Sequence, residues 1–177
     1  MNVRSRDDTF LKSSFYEQLV EHVFISEILQ EVYFGHGLTV EVPRSEVDAL
    51  GCDLVLDCNG ILRHIQLKTS KPESRTARQK VNAALGTKPG GCVVWILRHE
   101  DPTIKRTRLS YRFFGGAPGK PLPSLAKFKV AKHTKGDASG RKKERPGIRV
   151  VPKGAFTTIE TTIETTVELV KVLFGLE

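Results

Sequence analysis

The chain has 177 residues, of which 39% are hydrophobic and 27% charged, a composition typical of one soluble globular domain. It contains no apolar run of the roughly 18 residues that a membrane-spanning helix needs, and its first residues lack the apolar core of a signal peptide. The sequence therefore predicts a single domain over residues 1–177, located in the cytoplasm. The three cysteines, odd in number and without metal-site spacing, are expected to be buried thiols.

The formal net charge of +8 is distributed unevenly along the sequence. Residues 13–60 contain nine acidic side chains and one basic one, whereas residues 127–153 contain ten basic and two acidic ones. This separation predicts a cation site in the first region and a surface for a polyanion in the second. Charged runs are also common on solvated surfaces, so the distribution alone does not decide between the two interpretations.

The first half of the chain predicts a helix followed by three strands. Residues 13–34 have helical periodicity, with serines at the start and glycines after the end. Residues 37–43 alternate as a short strand. Two further strands flank Asn59-Gly60, a dipeptide typical of tight hairpins.

The second half of the chain predicts more strands and two further helices. Residues 76–85 are expected to form a helix with a basic face, and residues 92–97 a strand buried on both faces. Residues 109–114 are expected to form another strand. A basic surface loop over residues 127–147 precedes a docking helix at 158–174. This order predicts an α/β domain with a mixed central β-sheet flanked by helices.

The hairpin carries the most informative polar residues. Asp53 opens its first strand, and Gln66 and Lys68 lie near the end of its second, where strand alternation places both on one face. The turn folds Asp53 back towards them. An acid, an amide and an ammonium at one end of a hairpin can hold a metal ion and a water beside a phosphate, which is a nuclease-like arrangement.

Glu27 occupies an unexpected position on the first predicted helix. On a helical wheel it falls between Tyr16 and Val20, within the apolar sector, where an unpaired carboxylate costs several kcal/mol. One explanation is that Glu27 faces the site of Asp53 and Gln66. The others are a buried salt bridge, for example to Lys68, or a helix whose polar side has already turned inwards. Glu31, at the edge of the same sector, is the second choice.

These residues resemble the PD-(D/E)XK nuclease superfamily, whose fold is called restriction-endonuclease-like. The resemblance rests on Glu27, Asp53 and the motif Gln66-Leu67-Lys68. It covers about residues 15–100, within a predicted core of about residues 13–115. Gln-x-Lys in place of Glu-x-Lys is similar to the variant of Mrr-type restriction enzymes, and the region before Pro43 is similar to archaeal Holliday-junction resolvases. Cys52 stands where the family signature has proline.

The resemblance implies a catalytic set of Glu27, Asp53, Gln66 and Lys68. Asp53 would coordinate Mg²⁺ (or Mn²⁺), together with the Gln66 amide oxygen, the Leu67 carbonyl and Glu27, since hard cations prefer oxygen ligands. Lys68 would orient the attacking water or help to deprotonate it, and would stabilise the charge that develops on the phosphate. An amide at position 66 lowers the negative charge of the site, which favours one metal over two. A copy of the fold without activity would show the same change.

Other residues near the same site are weaker candidates. Asp48 and Glu46 become the ligands if the strand begins earlier. His64 shares a strand face with Lys68, and Asp57 alternates with Asp53 but lies near the hairpin tip. No nucleotide-binding loop or Ser/His/Asp motif is present, so no nucleotide cofactor is expected.

The basic region predicts the nucleic-acid contact. Its side chains can neutralise phosphates but carry no sequence information. The residues expected to bind are Lys132, Lys135, Arg141, Lys142, Lys143 and Arg145. The resemblance adds double-stranded DNA as substrate and a homodimer as the acting form.

Three functions are compatible with these observations. The first is a metal-dependent DNA endonuclease acting in restriction, defence or repair. The second is a catalytically inactive nucleic-acid-binding module with the same fold. The third is a small structural or partner-binding protein in which Glu27 and Lys68 form a buried ion pair.

Overall fold

A computed structural model describes residues 6–43, 51–136, 138–159 and 165–177, with residues 6–12 described as helix backbone. The helices are α1 (Arg6–Gln30), continued by a π-helical turn over Glu31–Gly35, and α2 (Thr165–Phe174). The strands are β1 (Val40–Glu41), β2 (Leu54–Cys58), β3 (Ile61–Ser70), β4 (Arg78–Asn82), β5 (Cys92–Asp101), β6 (Arg106–Gly115), β7 (Lys129–Lys132), β8 (Glu144–Pro152) and β9 (Thr157–Ile159). Short 3₁₀ turns follow β4 and β8.

The nine strands of the described residues form two sheets. The larger has the order β1-β2-β3-β5-β6-β9, in which β3 and β5 run parallel and all other neighbours antiparallel. The smaller is antiparallel, with the order β4-β8-β7. The prediction of an α/β architecture with a mixed sheet is confirmed.

The large sheet is covered on both faces. Its first face packs Leu56, Ile65 and Ile96 against Phe24 of α1 and Leu169 of α2. Its second face packs Val93 and Trp95 against Val81 of β4 and Val151 of β8. Residues 92–97 of β5 are buried throughout, as their continuous apolar run predicted.

The predicted hairpin is confirmed. Asn59 and Gly60 have φ values of 50° and 79°, the left-handed geometry that a two-residue turn requires. The Gly60 N–H donates to Asp57 Oδ1 at 3.0 Å, which fixes the turn. Pairing runs from Cys58 opposite Ile61 to Leu54 opposite Ile65, so Asp53 lies just beyond the paired segment.

Three predictions at the level of elements are wrong. Residues 76–85 form β4 and part of a 3₁₀ turn rather than a helix, because β4 pairs with β8 and tertiary pairing overrides a weak local propensity. The basic region is not a loop throughout, since β7 and β8 form a hairpin within it. The last helix begins at Thr165, and Ile159, expected on its apolar stripe, lies in β9; residues 160–164 lie outside the described part.

Arg63 of β3 is fully buried and joins distant parts of the chain. Its Nε donates to the carbonyl of Leu173 at 2.6 Å, and its guanidinium also donates to the carbonyls of Val172 and Gly116. The positive charge therefore sits at the carboxyl end of α2, where the helix dipole favours a cation. Burial lowers the pKa of Arg63 from its usual value.

Within the described residues, no helix combines the length and apolar character needed to cross a membrane.

Candidate functional site

A cavity of about 690 Å³ lies between α1 and the open end of the hairpin. The hairpin contributes Asp53, Lys68 and their neighbours, and α1 contributes two carboxylates, Glu17 and Glu21. The other lining residues are Val20, Ile25, Val42, Pro43, Cys52, Leu54, Val55, Leu67, Thr69 and Ile96. Asp53 and Lys68, predicted from the sequence to lie together, thus share one cavity.

Asp53 is held in place by the backbone of β3. Its N–H donates to the carbonyl of Ile65 at 2.9 Å, and its Oδ2 accepts the N–H of Leu67 at 2.7 Å. The side chain is exposed to solvent. The bond to Leu67 fixes the orientation of the Asp53 carboxylate at the edge of the hairpin.

The carbonyl of Leu67 is directed towards the same edge. In an antiparallel ladder, the N–H and C=O of one residue point to the same neighbouring strand. The N–H of Leu67 points to Asp53, and no β2 residue pairs with Leu67, because the register ends at Leu54 opposite Ile65. The backbone oxygen predicted as a metal ligand therefore lies on the side of Asp53.

Gln66 does not join this group. Its side chain is 6% exposed, it does not line the cavity, and its Oε1 accepts the N–H of Asn82 at 3.1 Å. Gln66 and Lys68 share a strand face. The last residue of β4, Asn82, contacts Gln66, whereas Lys68 lies two residues further along β3. The amide oxygen that was expected on a metal ion instead ties β3 to β4.

Glu27 is also placed elsewhere, so the prediction that it faces the site of Asp53 is wrong. Its Oε2 accepts hydrogen bonds from Tyr111 at 2.6 Å and from Thr166 at 3.1 Å, between the large sheet and α2. Burial, followed by the negative charge of Glu27, raises the pKa of Tyr111. The ion pairs of the described residues do not join Glu27 to Lys68 either. Glu27 lies on the apolar side of α1, as predicted, but two hydroxyl groups satisfy it.

The acids that α1 supplies to the cavity are not the one predicted. A helical wheel that counts every apolar residue includes Phe15 and Leu19 in the apolar sector and leaves Glu17 and Glu21 on the opposite side. In the structure, Phe15 and Leu19 are exposed. The buried stripe is Val20, Phe24, Ile28 and Val32, spaced by four residues. Glu17 and Glu21 each precede a member of this stripe by three residues and so lie beside it. The four-residue spacing of these apolar residues is the sequence signal that identifies Glu17 and Glu21 as neighbours of the buried side of α1.

The remaining alternatives occupy other positions. Asp48 and Glu46 lie outside the described residues. His64 Nδ1 is 2.7 Å from the carbonyl oxygen of Pro89, and Asp57 belongs to the hairpin turn. Glu31 lies 3.8 Å from His36 Nε2.

A second cavity, of about 380 Å³, continues the first. The two share Glu17, Val20 and Thr69, and the second adds Lys71 and Arg98 beside residues of α1. The guanidinium of Arg98 lies over the ring of Tyr16, 4.9 Å from its centroid, and pairs with Glu100 at 3.1 Å. Together the two cavities form a groove, with carboxylates near Asp53 and basic side chains at the other end.

No three His, Cys, Asp or Glu side chains of the described residues are grouped closely enough to form a metal site by themselves. The basic residues expected to bind nucleic acid are all exposed: Lys132, Lys135, Arg141, Lys142, Lys143 and Arg145. They belong to the β7–β8 hairpin and its connection rather than to the groove.

No family model, curated protein or solved structure matches this chain significantly.

Proposed function

We propose that the protein is a metal-dependent endonuclease of the restriction-endonuclease-like fold, which hydrolyses phosphodiester bonds of DNA. The observation that supports this most is that Asp53 and Lys68 line one cavity, which Glu17 and Glu21 also line. The first helix contributes its acids at positions 17 and 21 rather than 27. The proposal therefore keeps Asp53, Lys68 and the Leu67 carbonyl from the sequence prediction and replaces the other two residues.

The donor set fits a hydrated magnesium ion. Mg²⁺ keeps several water ligands and is usually bound by one or two protein carboxylates together with substrate phosphate. Asp53 and the Leu67 carbonyl would supply the protein oxygens, and Glu17 or Glu21 would hold water ligands. A bound Mg²⁺ would supply Lewis-acid stabilisation of the phosphate oxygens and a more acidic water.

Lys68 has two tasks in this proposal. Its ammonium can hydrogen-bond the water that attacks phosphorus, holding it in line with the bond to the leaving oxygen. The same charge stabilises the negative charge that develops on the phosphate in the transition state. The attacking water releases a proton to solvent as the new phosphorus–oxygen bond forms. The old phosphorus–oxygen bond breaks at the same time, and the leaving oxygen takes up a proton from solvent.

The far end of the groove would bind flanking phosphates. Arg98 is oriented by stacking on Tyr16 and by its pair with Glu100, so its guanidinium is held at the groove wall. Lys71 adds a second positive charge there. A strand lying along the groove would then have its scissile phosphate near Lys68 and its neighbours near Arg98.

A nucleic-acid-binding module without cleavage is the second candidate, and Gln66 favours it. The amide oxygen of Gln66 is buried and hydrogen-bonded to Asn82, so the hairpin offers one carboxylate where the related nuclease motif has two. In this case the exposed basic residues would bind DNA and the cavity would have no catalytic role.

Plasmid cleavage separates the two candidates. Wild-type protein, Lys68→Ala and Asp53→Asn are incubated with supercoiled plasmid in Mg²⁺ or Mn²⁺, beside Lys120→Ala, an exposed lysine that lines neither cavity. We expect nicking by wild type and by Lys120→Ala, and a loss on the order of 100-fold or more in both site variants.

Two other outcomes of this assay would contradict the nuclease proposal or its site. If wild-type protein retards DNA in a gel but leaves it intact in both metals, the nuclease proposal is wrong and the binding module is correct. Cleavage by wild type that Lys68→Ala retains in full would place the chemistry at another site.

A further inference from the structure

The hairpin of β7 and β8 changes character along its length. Near the body, Val151 of β8 and Ala131 of β7 are buried, and Val151 belongs to the core beneath the small sheet. The register shifts after Val130, Lys132 then pairs with Glu144, and the His133 N–H donates to the Lys143 carbonyl at 2.9 Å. Such a bulge bends the strand and redirects the residues beyond it.

Beyond Ala131, the hairpin projects from the body. Residues 132–136 and 138–147 are all exposed, although side chains on a strand pair alternate between two faces. Neither face of this segment is therefore covered by the rest of the described protein. We call these residues the basic arm.

The charges of the basic arm are costly for an isolated hairpin. A two-stranded ribbon without a covered face is marginally stable, and like charges on neighbouring strands weaken it further. The arm carries six basic residues, five of which form no ion pair with the described carboxylates: Lys132, Lys135, Lys142, Lys143 and Arg145. A polyanion would neutralise this charge and stabilise the ribbon.

The shape and composition of the arm select the kind of polyanion. Residues 129–147 contain no Phe, Tyr or Trp, so the arm has no aromatic platform on which single-stranded bases could stack. The major groove of B-form DNA is about 12 Å wide and admits a two-stranded β-ribbon. The deep, narrow major groove of A-form RNA does not admit protein side chains in this way.

We infer that the basic arm enters the major groove of B-form duplex DNA and contacts the phosphates on both sides of it. This inference rests on the proposed function for its substrate class, which it narrows to duplex DNA. It also assigns the two parts of the protein different tasks, since the groove of Asp53 and Lys68 would cleave and the arm would hold the duplex.

Binding in EDTA tests the inference without any need for cleavage. A fluorescent DNA duplex is titrated with wild-type protein, with the triple variant Lys135→Gln, Lys142→Gln and Lys143→Gln, and with a control triple variant. The control removes the same charge at exposed positions off the arm: Lys105→Gln, Arg106→Gln and Lys120→Gln. All three proteins are first compared by circular dichroism and thermal unfolding.

We expect the arm variant to bind about tenfold or more weakly, with a salt slope reduced by about 0.9 for each lost phosphate contact. The control variant should bind like wild type. Wild type should prefer the DNA duplex over RNA duplex and single strand of the same sequence. It should also bind less tightly to a duplex whose pyrimidines carry bulky C5 substituents, which fill only the major groove.

Equal losses in the two triple variants would overturn the inference, as would equal affinity for RNA duplex or single strand. Indifference to the C5 substituents would contradict groove entry. These outcomes are independent of the plasmid assay. A protein that binds duplex DNA through the arm but never cleaves it would refute the nuclease proposal and leave this inference intact.

Discussion

At the scale of single residues, three glutamates of one helix have different surroundings within about ten positions. Glu27 accepts hydroxyl hydrogen bonds between the large sheet and α2, whereas Glu17 and Glu21 line the cavity of Asp53. The difference arises from the roughly 3.6 residues per turn, because a shift of a few positions rotates a side chain from one neighbour of the helix to another. Their contributions should be separable by substitution.

We expect Glu17→Gln and Glu21→Gln to lower magnesium-dependent cleavage about 10–100-fold and to raise the magnesium concentration required, because outer-sphere partners tune metal affinity by this amount. Glu27→Gln should keep its cleavage rate and lose about 1 kcal/mol of stability with its charged hydrogen bonds. Gln18→Ala, at an exposed position of the same helix, is the control. Loss of cleavage in a stably folded Glu27→Gln protein would contradict this assignment.

At the scale of elements, the crossover from β3 to β5 depends on close backbone contact. Gly90 is buried, has a φ of 58°, and a Cβ atom there would collide with the carbonyl oxygen of Leu62. Only glycine allows this approach without strain. The contact holds the start of β5 against β3, and so supports the parallel pair whose first strand carries Lys68.

Gly90→Ala should therefore destabilise the protein by about 2 kcal/mol or more, because it combines a positive φ with a backbone collision. Gly86→Ala is the matched control: this glycine lies in the 3₁₀ turn, has no heavy atom within 4 Å of an added Cβ, and is exposed. Its expected effect is within about 0.5 kcal/mol. Urea unfolding measures both, and equal midpoints would refute the argument.

The predictability of the elements depends on how local their causes are. The hairpin was predictable because Asn59-Gly60 specifies its turn and alternation specifies its strands. The helix expected over residues 76–85 was not formed, since β4 depends on pairing with β8, at a distance in sequence of about 70 residues. The basic arm was likewise predicted as a loop because its strands lack an alternating apolar face.

At the scale of the whole molecule, the central sheet separates two cores, one beneath the helices and one beneath the small sheet. The core beneath the helices contains two buried groups with dissociable protons, Cys92 and Tyr111. Burial raises the pKa of Cys92 to about 12. Burial and the charge of Glu27 together raise the pKa of Tyr111. Cys92 and Tyr111 therefore keep their protons to a higher pH in the folded state than in the unfolded chain.

Stability should fall as pH rises from about 9 towards 12. In the unfolded chain, Cys92 and Tyr111 lose their protons near their usual pKa values of 9.0 and 10.0. Their contribution is thus complete below pH 9 and is lost above it. Urea unfolding across this range measures the effect. Tyr111→Phe should flatten the dependence, with Tyr33→Phe at an exposed ring as control; an unchanged profile in Tyr111→Phe would refute it.

The candidate site was predictable in part for a related reason. Asp53 and Lys68 are joined by a short hairpin, so local geometry brings them together. The acidic residues of α1 reach the cavity only because the helix packs against the sheet. A helical wheel that does not identify the buried residues of α1 correctly selects Glu27 instead of Glu17 and Glu21. The sequence motif predicts Gln66 as a metal ligand. Its hydrogen-bond partner Asn82 belongs to the second sheet, whose position the motif does not specify.

Arg63 links the order of folding to the order of synthesis. Its carbonyl partners lie 53 to 110 residues further along the chain, the most distant of them in the last turn of α2. Until a ribosome has produced that turn, the guanidinium has no acceptors there and resists burial, so β3 cannot settle on its core. We therefore expect the strand that carries Lys68 to be among the last to become fixed. A nascent chain would stay without a working site until α2 emerges, which would keep a half-made nuclease of the proposed kind from cutting DNA.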